Sequence, residues 1–149
     1  MMTRKLALLA AMLVAANGLA GAPAQAQGID PINTRQTGLD LLAGTFSGVR
    51  AVVAANGDVK TLENAGKAIQ RWGAMFPTLF PAGSDKGATK AAPAIWSDAA
   101  GFSKASMALS MAGEALATAA KAGDAAAVQV AVKSMGEACG ACHKDYRLK

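Results

Sequence analysis

Ile95, Phe102, Leu109 and Leu116 recur every seven residues, with Ala105, Ala112 and Ala119 between them. Steps of three and four that sum to seven keep one face of an α-helix apolar. They match no strand, whose side chains alternate with a period of two. A helix with such a stripe is stable only when the stripe lies against other helices. This one is bounded by Pro93 before it and Gly123 after it.

Three further stretches carry the same kind of pattern. Asp30-Pro31 offers an N-cap followed by proline at the first helical position. Leu39, Leu42, Phe46, Val49 and Val53 then form one stripe, and Asn56-Gly57 stops it, because both residues tolerate the left-handed conformation. Asp58 caps the next helix, whose face is Val59, Leu62, Ile69, Trp72 and Phe76, with Ala65 or Gly66 filling the gap. It ends by about Phe76, since Pro77 disfavours helical geometry in the residue before it. The last helix follows Asp124 with Val128, Val132 or Ala131, Met135, Cys139, Cys142 and Tyr146. No stretch alternates like a strand. Four amphipathic helices near coiled-coil spacing predict an all-α, antiparallel four-helix bundle, up-down-up-down in its simplest form.

Between the second and third helices lies a long connection, 77–92, containing Pro77, Pro81, Gly83 and Gly87. Connections of this length are either functional or disordered. Phe80 within it predicts partial docking onto the core. Aromatic residues are only 5% of the chain while alanine is abundant. Alanines let helices approach closely but supply little apolar bulk, which leaves room for something else to fill the middle.

The N-terminus sets the compartment. A basic start with Arg4 and Lys5, an apolar run from Leu6 to Ala16 and the small-x-small end Ala24-Gln25-Ala26 make a secretory signal peptide, 1–26. The run is too short for a confident membrane span, and an uncleaved anchor is the alternative. Cleavage after Ala26 leaves a single exported domain, 27–149, with no membrane insertion. Without Arg4 and Lys5 the basic count falls from 15 to 13 against 10 acids, a charge of +3. These basic residues are scattered, which gives no support to nucleic-acid binding.

Both cysteines and the only histidine fall within five positions, as Cys139-x-x-Cys142-His143. Random placement gives this arrangement in roughly one chain in ten thousand, and C-x-x-C-H is the attachment motif of c-type haem. Two thiols three apart on one side of a helix can form thioethers with the haem vinyl groups, and the adjacent neutral imidazole can bind iron. The rivals are weaker. A thioredoxin-like pair expects a βαβ pattern, zinc needs more ligands, and a disulfide here closes too small a loop to stabilise much. With His143 on one side of the iron, methionine is the other common partner in electron carriers. Met75, Met107, Met111 and Met135 are the candidates. Packing is favoured for Met107, Met111 and Met135, Met75 is harder to exclude, and an empty sixth position is the alternative.

Arg35-Gln36, the run Ile95-Trp96-Ser97-Asp98-Ala99-Ala100-x-Phe102 and Cys139-x-x-Cys142-His143-x-x-Tyr146-Arg147 together resemble cytochrome c′, itself a standard example of a four-helix bundle. The resemblance spans the chain after the signal peptide, with 72–81 matching only loosely. It implies one covalent haem c, with His143 as proximal iron ligand and Arg35 and Gln36 against the haem propionates. It implies that Leu39 covers the distal face, where low-spin relatives have an iron-binding methionine. Leucine cannot bind iron, so five-coordinate, high-spin iron is expected, with a low-spin, Met-ligated carrier as the alternative. Arg147 would lie beside the proximal face, where nitric oxide binds in this family. The expected function is non-enzymatic: binding of nitric oxide and carbon monoxide, electron transfer with redox partner proteins, or both. Several members form homodimers through their first two helices, and Val49, Val52 and Val53 are the apolar candidates for such a surface. A thiol-disulfide oxidoreductase is the remaining alternative.

Overall fold

The computed structural model describes residues 30–149, so the expected signal peptide, 1–26, lies outside the described residues. Helix α1 (Pro31–Ala54) starts as the sequence predicts. Asp30 accepts a hydrogen bond from the Ile32 amide at 2.9 Å, and proline opens the first turn. Asn56, at a φ of 49°, makes the left-handed turn after it, and Gly57 does not need to.

Asp58 caps a 3-10 turn, Val59–Leu62, rather than an α-helix directly. Helix α2 (Glu63–Met75) follows and gives way to a second 3-10 turn, Phe76–Leu79, which accommodates Pro77. The expected third helix is broken near its start. A single turn, α3 (Ala94–Ser97), is separated from α4 (Ala99–Ala122) by Asp98, whose φ of −125° and ψ of 56° leave the helix. The break frees the Asp98 carboxylate to accept from the Gly101 amide at 3.1 Å and so cap α4. Gly123, at a φ of 73°, closes α4, and Asp124 caps α5 (Ala125–Tyr146).

Helices α2 and α4 run antiparallel with their backbones in contact. A β-carbon at Gly66 would sit 2.5 Å from the Ala117 nitrogen, one at Gly113 would sit 2.5 Å from the Gln70 nitrogen, and one at Gly73 would sit 2.6 Å from the Ser110 nitrogen. Ser106 and Ser110 complete this seam by donating to the carbonyls of Gly73 and Gln70 at 2.7 and 2.9 Å. Of the two candidates for the gap in the α2 stripe, it is Gly66 that is buried. The short turns make α1 antiparallel to α2 and α5 antiparallel to α4, giving an up-down-up-down four-helix bundle.

The core has two parts. One gathers Val49, Ile69, Leu116, Val128, Ala131 and Met135 from all four long helices. Val49 is 1% exposed and so is core rather than free surface, whereas Val52 and Val53 are partly buried against this cluster. The second part is aromatic. Phe76, Ile95 and Phe102 are buried, with Leu39, Trp72, Phe80, Trp96, Cys142 and Tyr146 packed against them. Phe80 meets Phe76 and Phe102 edge-on at centroid distances of 5.0 and 4.9 Å. Thus the long connection docks, as Phe80 predicts. Among the described residues, no helix is long and apolar enough to cross a membrane.

Candidate functional site

Cys139 and Cys142 are on α5, unpaired and half-buried. Burial pushes both thiols up, and for Cys142 the neighbouring Cys139 and Asp145 add to the rise. Protonated thiols far from a helix N-terminus are poor redox nucleophiles, which weighs against thiol-disulfide exchange. His143 is exposed, and its pKa is lowered, first by partial burial and then by the charge of Arg147. Both effects favour neutral imidazole, the form that binds a metal. Among the described residues no three His, Cys, Asp or Glu side chains gather closely enough to hold a metal ion, so the arrangement does not suit zinc.

The aromatic cluster brings Leu39 of α1 together with Cys142 of α5. None of the four methionines after the signal segment belongs to that cluster. Met135 is buried in the other core, as packing predicts. Met107 and Met111 are instead 49% and 63% exposed, because they flank the apolar stripe of α4 on its solvent side. Met75 is also largely exposed.

Arg35 is 2% exposed, and burial lowers its pKa while Asp30 partly offsets the effect. Nη1 donates to Ser84 Oγ at 3.0 Å and the Leu79 carbonyl at 3.3 Å; Nη2 donates to the Ser84 carbonyl at 2.6 Å and Thr89 Oγ1 at 3.0 Å. The guanidinium also lies 4.5 Å from the centre of the Phe80 ring. Gln36 Nε2 donates to the Ala88 carbonyl at 2.7 Å. These two residues therefore bind the long connection to α1. Among the described residues this buried cation has no carboxylate within ion-pair distance.

The other end of the connection is joined to the C-terminus. Ala91 and Arg147 form an antiparallel bridge, with Ala92 N donating to the Tyr146 carbonyl at 3.1 Å and Leu148 N donating to the Lys90 carbonyl at 2.8 Å. Arg147 is extended, not helical, and its side chain is exposed. Tyr146 donates to Asp98, and Trp96 Nε1 donates to the Phe80 carbonyl at 3.2 Å. Ser84, Thr89, Asp98 and Trp72 were not singled out as site residues from the sequence. Trp72 belongs to the apolar stripe of the second helix and Asp98 to the run that resembles the family, but the partners Arg35, Tyr146 and Gly38 are distant in the chain.

The family described as Cytochrome C′ matches residues 30–147. The chain belongs to the cytochrome c′ family. Its cofactor is accordingly one covalently bound haem c. It is 36% identical to cytochrome c′ of Rubrivivax gelatinosus over 123 residues, 80% of this chain and 95% of that one. The crystal structure of the Rubrivivax protein superposes with a TM-score of 0.71, at 35% identity, over 78% of this chain and 94% of that one. A nitric oxide complex of a variant of cytochrome c prime from Alcaligenes xylosoxidans superposes with a TM-score of 0.71, at 30% identity, over 80% and 94%.

The residues fit such a group. Haem is an apolar disc with two carboxylates at one edge. Here one of the two unpaired thiols, Cys142, packs against an aromatic cluster, and a buried arginine has no carboxylate within ion-pair distance among the described residues.

Proposed function

We propose that residues 27–149 form an exported, periplasmic monohaem cytochrome that binds small uncharged gases such as nitric oxide and carbon monoxide and exchanges electrons with redox partner proteins. Bound haem supplies an iron that changes between ferric and ferrous states and accepts a diatomic ligand. The chain supplies the rest. Cys139 and Cys142 would hold the group covalently through their sulfurs, and neutral His143 would bind its iron. Arg35 and Gln36 would lie near the haem carboxylates, where the buried Arg35 charge would offset one of them. Arg147 lies on the His143 side, close enough to lower the imidazole pKa.

The observation that carries the five-coordinate reading is the company of Leu39. It shares a cluster with Cys142, and no methionine is in that cluster. An apolar side chain there excludes water, admits a neutral diatomic and offers no hydrogen bond to stabilise bound oxygen. The nitric oxide complexes of the Alcaligenes protein support the choice of gas. A homodimer through α1 and α2 belongs to the same reading, with Leu41, 69% exposed, as its apolar contact and Gly44 and Gly48 leaving room for close approach.

The ferrous absorption spectrum tests this function. A broad high-spin spectrum that changes on adding carbon monoxide is expected. Sharp low-spin bands indifferent to carbon monoxide would establish the Met-ligated electron carrier instead. Loss of all haem on acid extraction would remove the haem reading itself.

A further inference from the structure

Trp72 Nε1 is a buried side-chain donor with no hydrogen-bond partner among the described residues, the sole such side-chain atom there. A buried N–H left unmade costs about 1–3 kcal/mol, so an orphan of this kind calls for an acceptor. The indole cannot easily turn away to find one. Its six-membered ring lies on the α1 backbone at Gly38, where any β-carbon would overlap it. Phe76 packs beside it, with ring centroids 5.5 Å apart and planes tilted by 39°. Trp96 is the useful contrast, since its N–H reaches the carbonyls of Phe80 and Pro81 at 3.2 and 3.3 Å.

The surroundings of Trp72 identify the acceptor. It packs in the cluster that holds Leu39 and Cys142, and Gly38 is one helical turn from Arg35. Both terminal nitrogens of Arg35 and one hydrogen of the Gln36 amide already donate to the connection, so most of these donors are engaged. We infer that Trp72 is a further haem-binding residue, whose indole N–H donates to a haem carboxylate. Arg35 then supplies charge to that carboxylate and Trp72 supplies direction. A bound gas is the weaker acceptor. It would leave the N–H unsatisfied whenever the gas is absent, whereas a carboxylate is present in every state. Glycine at position 38 is the other half of the device, because only a residue without a side chain lets the six-membered ring of the indole sit against α1.

This inference rests on the haem reading, and the test separates the two. Proton NMR of the diamagnetic ferrous–carbon monoxide holoprotein should show an Overhauser contact between the Trp72 indole proton and a propionate methylene. The Trp72→Phe variant keeps an aromatic ring and removes the donor. Its propionate bending band in resonance Raman should shift while the carbon monoxide stretch stays. Absence of the Overhauser contact overturns the assignment, as does an unmoved propionate band, which would leave the N–H bonded to water. A carbon monoxide stretch that moves while the propionate band does not would give the donor to the gas and also overturn it. Haem lost from the cysteines in the wild-type protein would instead defeat the haem reading.

Discussion

Tyr146 Oη donates to Asp98 Oδ2 at 2.7 Å, joining the last turn of α5 to the break between α3 and α4. Gly101 is what allows this, since a β-carbon there would overlap both the Asp98 carboxylate and the Tyr146 hydroxyl. The pair holds the end of the helix that carries Cys142 and His143.

The bond to Asp98 pushes Tyr146 up from 10.0 to about 12, and it holds Asp98 below its ordinary 3.8. A raised tyrosine pKa stabilises the fold below pH 10 and loses that contribution as pH rises through about 12. A depressed aspartate pKa contributes above its ordinary value and is lost as pH falls through the lower one. Tyr146 is the only tyrosine, so tyrosinate absorbance reports on it alone. It should titrate near 12 in the wild type and closer to 10 in Asp98→Asn. Equal titration in the two proteins would show that the bond does not form in solution.

The α2–α4 seam predicts an effect of definite sign. Helix propensity by itself favours alanine over glycine by ~1 kcal/mol. At Gly66 the new β-carbon meets backbone of α4, 2.5 Å from the Ala117 nitrogen and 2.8 Å from the Gly113 carbonyl oxygen, and backbone cannot give way cheaply. Gly66→Ala should therefore lower stability by roughly 2 kcal/mol in urea denaturation, within the usual range for overpacking. Gly136→Ala, where a β-carbon meets nothing, should raise it.

Arg35→Met keeps the length of the stem but removes the four hydrogen bonds to Leu79, Ser84 and Thr89. It leaves buried acceptors without donors, for which about 2–4 kcal/mol is a reasonable loss. The damage should be local to 79–92, seen as faster amide exchange there in mass spectrometry, while exchange in the α2–α4 seam changes little. Uniformly faster exchange across the bundle would refute a local role.

Leu39→Met places a thioether in the cluster that contains Cys142. The iron should move toward six-coordinate and low-spin, read as sharpened bands in the ferrous spectrum and weakened binding of carbon monoxide. An unchanged spectrum would mean that Leu39 does not face the iron.

Much of the architecture can be read locally. Asp30-Pro31, Gly123 and Asp124 act on their own helix ends, through hydrogen bonds two or three residues away, and the structure has each where the sequence predicts it. The break at Asp98 could not be read so, because the apolar heptad runs straight through it. What bends the chain there is a carboxylate with one partner nearby, Gly101, and another 48 residues on, Tyr146. The burial of Val49 could not be read for a similar reason: periodicity identifies a face but not what covers it.

The candidate site divides in the same way. Cys139, Cys142 and His143 stand out as candidates because the C-x-x-C-H pattern is a matter of spacing within one stretch of one helix. Arg35 and Leu39 were legible only through family resemblance. Their settings are long-range: Arg35 reaches partners 44 to 54 residues away, and Leu39 packs against the same aromatic cluster as Cys142. By itself the sequence determined four amphipathic helices, their caps and the attachment motif, all set by short-range periodicity and hydrogen bonding. Tertiary structure alone decided that Arg35 anchors the connection, that glycines let α2 and α4 touch, and that Trp72 lies on Gly38 with its N–H unpaired. Those outcomes depend on which surfaces meet when the helices pack, and no local pattern records that.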